Sequence, residues 1–218
     1  MRAILIGGTG LIGGLLLDKL LKDPVFSKIK LISRRTAGIQ HPKLEEAIIR
    51  FDDAESFRKE VTATDVLFSC AGTTRQQVKG DLEAYRKIDF DIAVNAAKYC
   101  AAQHTPKFLL VSSVGANATS SNFYLRLKGE TEAAVLSQSI PSVYIMRPSM
   151  LLGSRPQARM GEIIGQPVKR LLSLFFVGGF SKYKAIHAND VAEAMLIASK
   201  QTVTGKFICE YREMRKLF

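Results

Sequence analysis

A chain of 218 residues, 47% hydrophobic and 23% charged with only 7 prolines, has the length and composition of one ordinary domain with a sizeable core, which excludes disordered, fibrous and collagen-like classes. Lys and Arg number 31 against 20 Asp and Glu, for a net charge of +11; scattered and without interleaved aromatics, they suit a solvated surface and phosphorylated ligands rather than a specific nucleic-acid interface. No apolar run approaches the roughly 18 residues that cross a bilayer, and the longest, 171–180, is broken by Gly178 and Gly179, so no transmembrane segment is expected.

Met1 and Arg2 lead directly into Ala3-Ile4-Leu5-Ile6, without the long apolar region and small-residue cleavage site of a secretory signal. A cytosolic protein is expected. Cys70, Cys100 and Cys209 are far apart, with no Cys-x-x-Cys pair and no clustered histidines. They read as reduced thiols, and no metal site is expected.

Along the chain, short apolar runs alternate with segments of helical period, the pattern of βαβ units and a parallel sheet. The first strand is predicted at 2–6, followed by a helix on which Leu11, Leu15, Leu16, Leu20 and Leu21 recur before Pro24 stops the run. Strands follow at 29–33, 47–51 and 66–70, then a long helix over 82–103. A strand at 108–112, a helix over 121–138 and a strand at 142–146 come next. After Arg147-Pro148 the alternation lapses until a helix over 189–200, a strand at 206–210 and a closing helix in the last residues. The fold class is α/β, a doubly wound parallel sheet with a small C-terminal appendage on the substrate side, because ligands bind beyond the carboxyl ends of such strands.

Gly7-Gly8-Thr9-Gly10-Leu11-Ile12-Gly13 follows the first strand and opens the first helix. Glycines there let the backbone turn sharply and bring N–H groups against a pyrophosphate, at a helix end that carries partial positive charge. G-x-G-x-x-G from Gly8 and G-x-x-G-x-x-G from Gly7 both match, so the register stays open. No Gly-Lys-Ser or Gly-Lys-Thr follows, which excludes a triphosphate-cradling loop. At the end of the second strand, where an NAD site places an acid for the ribose hydroxyls, the chain has Ser33-Arg34-Arg35. Two guanidiniums can hold a 2′-phosphate by charge-assisted bonds, so NADP(H) is preferred over NAD(H). Asp52 either accepts from the adenine amino group or caps the helix that follows.

Tyr124 and Lys128 lie four apart on a predicted helix and share a face. The spacing alone decides nothing, but the pair follows by one loop the strand ending in Ser112 and Ser113. A phenol of unperturbed pKa about 10 exchanges protons poorly at neutral pH unless an adjacent ammonium favours phenolate. Lys128 is placed to supply that charge and to bind a nicotinamide ribose. Tyr124 would then pass a proton to or from a substrate oxygen.

Taken in order, Gly-Gly-Thr-Gly-Leu-Ile-Gly (7–13), Ser-Arg-Arg (33–35), Cys-Ala-Gly-Thr-Thr-Arg (70–75), Ser-Ser-Val-Gly-Ala-Asn (112–117), Ser-Ser-Asn-Phe-Tyr-Leu-Arg-Leu-Lys-Gly-Glu (120–130) and Arg-Pro-Ser-Met-Leu-Leu-Gly (147–153) span about three quarters of the chain. With them the chain resembles an atypical short-chain dehydrogenase/reductase, most closely the Tat-interactive protein family of NADPH-binding oxidoreductases. The resemblance implies an NAD(P)-binding Rossmann fold over 1–218, with 148–186 as a lid on the substrate side. It implies Ser113, Tyr124 and Lys128 as the catalytic trio, with Ser112 as the alternative serine. It places Cys70, Ala71 and Gly72 beside the cofactor and Pro148 with Ser149 near the carboxamide. It also makes 186–192 the segment leading into the late helix, where His187 is expected as a packed imidazole and Asp190 as a helix cap or first-turn acid. One departure stands out: Asp89 takes the place where the wider superfamily often has an asparagine that holds a proton-relay water.

Arg155, Arg159, Lys169 and Arg170 flank the apolar run at 171–176. They suit either a lid with cationic and apolar faces, for an anionic or lipid-like small-molecule substrate or a membrane surface, or a solvated amphipathic helix packed on the domain. A protein partner and a homodimer are further expectations. Three functions follow: NADP(H)-dependent oxidoreduction of a carbonyl or alcohol, an NADP(H)-binding regulatory or assembly protein, and a sugar-nucleotide epimerase or dehydratase.

Overall fold

Seven strands pair side by side in one parallel sheet, whose central strands are too apolar to face water on either side. The computed structural model of the protein describes residues 1–152 and 183–218. In chain order the main elements are β1 (Arg2–Ile6), α1 (Leu11–Lys22), β2 (Lys28–Ser33), β3 (Leu44–Ile48), α2 (Ala54–Glu60), β4 (Val66–Ser69), α3 (Leu82–Arg86), a π-helical turn (Lys87–Asp91), α4 (Ile92–Ala102), β5 (Lys107–Val111), α5 (Phe123–Leu136) and β6 (Ser142–Met146). After β7 (Leu151–Leu152) come β8 (Ile186–His187), α6 (Ala188–Lys200), β9 (Gly205–Cys209) and α7 (Tyr211–Arg215). The sheet order is β3-β2-β1-β4-β5-β6-β9, with every pairing parallel. This is a doubly wound Rossmann sheet, and its order reverses between β1 and β4, the crevice where such folds take ligands. A separate parallel pair joins β7 to β8.

Side chains of one strand alternate between two cores, as the period of two requires. Ala3 and Leu5 of β1, Leu109 of β5, and Tyr144 and Met146 of β6 face the layer built by α1 and α6. Ile4 and Ile6, Phe108 and Leu110, and Val143 and Ile145 face the opposite layer with α2, α4 and α5. Leu16, Leu17 and Leu20 of α1 and Val191, Ala194, Met195 and Ala198 of α6 are fully enclosed, which makes their mutual seam a main support of the first βαβ unit. At the rim of that seam Lys19 bonds Glu193 at 2.7 Å and Lys200 bonds Asp23 at 2.8 Å.

Three expectations about elements change. The third strand begins at Leu44, not at 47, because it is an edge strand whose acids hide the pattern: Glu45 pairs with Lys28 and Lys30, and Glu46 accepts from Thr36 and the Ala37 N–H. The strand therefore ends before Phe51, and the cap of α2 is Asp53, whose carboxylate accepts from the Ser56 N–H. Asp52 is not that cap. The helix expected over 82–103 is interrupted by the π-helical turn at Lys87–Asp91, a local widening often found where a helix serves a site. Of the lid expected at 148–186, residues 153–182, and with them Arg155, Arg159, Lys169 and Arg170, lie outside the described residues.

Candidate active site

The carboxyl ends of β1, β4, β5 and β6 surround a cavity of about 700 Å³. At one end, Gly8, Thr9, Gly10, Leu11 and Ile12 form its wall. Gly10 is the N-cap of α1 and has no side chain with which to cap it, so the first N–H groups of the helix are left for a ligand.

Gly7 and Gly13 do not line the cavity; they shape the turn behind it. Gly7 has φ +84°, and a Cβ there would lie 2.5 Å from the Cys70 carbonyl carbon. A Cβ on Gly13 would lie 2.1 Å from the Gly7 carbonyl oxygen, so α1 reaches the turn only because both residues are glycine. Gly13→Ala is accordingly expected to weaken dinucleotide binding at least about tenfold, as titration calorimetry would measure, because the clash is with backbone that cannot turn aside.

Arg35 borders the cavity, whereas Arg34, equally exposed, does not. Asp52 also stands outside it, exposed and bound to Arg50 at 2.8 Å. That guanidinium holds its carboxyl below the usual carboxylate range. Cys70, Ala71 and Gly72 continue the wall, and burial pushes the Cys70 thiol up to about 12, so it stays neutral. All three cysteines are free.

The opposite end is built by α5. Asn122 caps it, its side chain accepting from the Leu125 N–H at 3.1 Å. One turn on, Tyr124 and Lys128 both face the cavity, with Lys128 Nζ 6.0 Å from the Tyr124 ring centroid. Tyr124 is 37% exposed and Lys128 only 6%. The ammonium is paired: Asp89, delivered by the π-helical turn, lies 2.7 Å away and is itself buried. Burial would push Lys128 down, but Asp89 and then Tyr124 outweigh it, and its affinity for the proton is raised. The second Asp89 oxygen accepts from the Thr73 N–H at 2.8 Å, and the Tyr85 hydroxyl donates to the Thr73 carbonyl at 3.1 Å.

Ser112 and Ser113 are separated by their partners. The Ser112 hydroxyl donates to Glu132, a buried carboxylate that also holds Arg147 through Nε at 3.0 Å and Nη2 at 2.5 Å. Ser113 borders the cavity and donates only a long bond, 3.3 Å, to the Val114 carbonyl. Of the two serines, Ser113 is therefore the one with a hydroxyl to offer a ligand. Pro148 lines the same wall, and Ser149 donates to the Lys184 carbonyl.

Lining residues missed in the sequence are Gly14 and Leu15 of α1, where the leucine period reads as core, together with Thr73, Thr74, Gln77, Val111 and Leu151. Thr73, Thr74 and Gln77 sit in a loop without periodic signal, although the first two belong to the Cys-Ala-Gly-Thr-Thr-Arg motif, and Val111 and Leu151 stand at strand ends. His187 is exposed at the N-cap of α6, which corrects the expectation of a packed imidazole: it precedes the helix, beyond the core. Asp190 stands in the first turn as expected and bonds Arg215 at 3.3 Å.

The family model for NAD(P)H-binding proteins matches residues 7–201, the span that carries both ends of this cavity. The chain belongs to that NAD(P)H-binding family, as an atypical short-chain dehydrogenase/reductase close to the Tat-interactive proteins. It is 30% identical over 195 residues to the rat protein HTATIP2, covering 88% of this chain and 78% of that one. It is 35% identical over 163 residues to FMP52-1 of Scheffersomyces stipitis, covering 73% and 71%. Among solved structures, MoeE5 in complex with UDP-glucuronic acid and NAD superposes with a TM-score of 0.72 at 15% identity, covering 95% of this chain and 75% of that one. WbmH of Bordetella bronchiseptica in complex with NAD+ gives 0.74 at 14% identity, covering 96% and 75%. At these identities the structures establish the shared fold alone.

The relatives also correct the cytosolic expectation. The FMP52 proteins of Scheffersomyces stipitis, Candida albicans and Emericella nidulans are named mitochondrial. That expectation rests on secretory signals, which concern export only, since import into mitochondria is read from a different chemistry. Among the described residues no helix is long and apolar enough to cross a membrane.

Proposed function

We propose that this short-chain dehydrogenase/reductase is an NADP(H)-dependent oxidoreductase that interconverts a carbonyl and an alcohol. The observation that carries the proposal is the convergence of Ser113, Tyr124 and Lys128 on one end of the cavity that the glycine turn closes at the other. The residues fit a dinucleotide: an uncapped helix end stands where a pyrophosphate needs N–H donors, glycines allow close approach, and Arg35 faces the cavity at the end of β2. The bound nicotinamide would supply or accept the hydride. Ser113 donates to the substrate oxygen and orients it. Tyr124 gives that oxygen a proton, or takes one, as the carbon changes oxidation state. Lys128, with one N–H committed to Asp89, keeps donors for the nicotinamide ribose hydroxyls.

Preference for the phosphorylated dinucleotide rests on Arg35. Neither Arg34 nor Arg35 forms an ion pair with a described carboxylate, so no acid competes for a 2′-phosphate. Titration calorimetry with NADPH and NADH tests this. Arg35→Ala should lose at least about tenfold in NADPH affinity, the worth of a charged hydrogen bond, and leave NADH unchanged. Arg34→Ala should lose less. Equal affinity of the unaltered protein for both dinucleotides would remove the preference. A panel of aldehydes and ketones, followed by NADPH absorbance, tests turnover itself, and a protein that binds NADPH yet consumes none of them would be a cofactor-binding regulator instead.

A further inference from the structure

Lys128 does not present a bare charge to Tyr124. Its ammonium touches Asp89 at 2.7 Å on the cavity wall, and the two side chains are only 8% and 2% exposed. To a third group, two opposite charges in contact act as a dipole, whose potential is weaker and falls more steeply than that of either charge. The carboxylate is held there by the π-helical turn and by the Thr73 N–H. Among the described residues, the charged or titratable groups around Lys128 and Tyr124 are Asp89 on the π-helical turn, Glu132 on the same helix and Tyr85 on α3; Glu132 is already bound to Arg147. Tyr85 is pushed up, by burial first and then by the charge of Asp89, so the field of this carboxylate reaches the Tyr85 phenol.

We propose that Asp89 is a charge-balancing, positioning residue that keeps Tyr124 a proton donor and so directs the site toward carbonyl reduction. The inference rests on the role given to Tyr124 under the proposed function. An unopposed ammonium favours phenolate, the form that withdraws a proton from an alcohol. With a carboxylate in contact much of that preference is cancelled, and the phenol persists at neutral pH. In the reaction so favoured, a hydride carries its electron pair from the reduced nicotinamide to the carbonyl carbon, while the carbonyl π pair takes the proton of the breaking Tyr124 O–H bond. The carbonyl is thereby reduced to an alcohol and the nicotinamide oxidised. Solvent, to which Tyr124 is open, returns a proton to the phenolate.

The test is a titration of tyrosinate absorbance in the full chain without cofactor, each protein measured against its own Tyr124→Phe counterpart. Asp89→Asn preserves shape and removes the charge. Its midpoint is expected about one pH unit or more below that of the unaltered protein. The double variant D89N/K128M, which removes both charges, should return within about half a unit. K128M alone, should D89N fail to fold, leaves the carboxylate unopposed, and its midpoint should rise. A D89N midpoint that is unchanged or higher, or a K128M midpoint that falls, overturns the charge balance whatever the turnover. In activity at neutral pH, the ratio of kcat for reduction to kcat for oxidation, each at saturation, should fall about tenfold in D89N, with the KM values shifting to match because the equilibrium constant is fixed. Shifted midpoints in proteins that consume no carbonyl would overturn the proposed oxidoreductase function, and the direction with it, while sustaining the electrostatic pair.

Discussion

Replacing Tyr124 with phenylalanine should lower kcat for carbonyl reduction by about 100- to 10,000-fold, the usual worth of a placed general acid. NADPH affinity should change by less than about threefold, because the ring, its packing and the Lys128–Asp89 pair all remain. The split between the two quantities is what matters. Loss of binding together with rate would point to a displaced helix, and a variant that turns over at the original rate would remove Tyr124 from the chemistry. Lys128→Met should behave differently. It strands a buried carboxylate on the cavity wall, so binding, rate and stability should all suffer.

A large loss of stability is expected from Glu132→Ala. Glu132 is 3% exposed and joins α5 to the ends of β5 and β6 through Ser112 and a bidentate Arg147. Arg147 reaches further to Glu210, ahead of α7, at 3.7 Å. The carboxylate holds the guanidinium firmly protonated, chiefly by its hydrogen bonds. Truncation leaves a buried hydroxyl without its acceptor and a half-buried cation with only the longer pair to Glu210, at a cost of about 3 kcal/mol. In thermal denaturation this is a fall in Tm of roughly 6–12 °C for a chain of this size. Glu132→Gln keeps one oxygen able to accept from both Ser112 and Arg147 Nε and should lose less. An alanine variant as stable as its parent would show that water replaces the carboxylate at no cost. Because the same helix carries Tyr124 and Lys128, the alanine variant should also lower turnover more than it lowers NADPH affinity.

Legibility in the sequence followed the range of the interaction. The β-strand alternation and the leucine period of α1 are set by residues a few positions apart, and β1 and β6 lie where their patterns put them. The edge strand β3 was displaced because ion pairs rather than apolar side chains occupy its faces. The glycine turn was legible because its requirement is local: the backbone must double back before a helix, and Gly7 and Gly13 meet only without side chains. Its division of labour was not. Gly7 and Gly13 turned out to shape the loop, whereas Thr9 to Ile12 face the cavity. Asp52 misled as a cap because two acids follow the strand, and it is the second, Asp53, that caps α2 while Asp52 pairs with Arg50.

From its residues alone this protein was determined to be a parallel α/β sheet with a dinucleotide turn at its first strand and a tyrosine and lysine one helical turn apart. Those properties follow from periodicity, backbone sterics and fixed helical spacing, which act within about ten residues. Tertiary structure alone decided that Lys128 is paired with Asp89, 39 positions earlier in the chain, and that Ser112 is engaged while Ser113 is available. The reason is physical: the net charge beside a phenol and the availability of a hydroxyl are sums over neighbours in space, and here those neighbours come from elements far apart in the sequence.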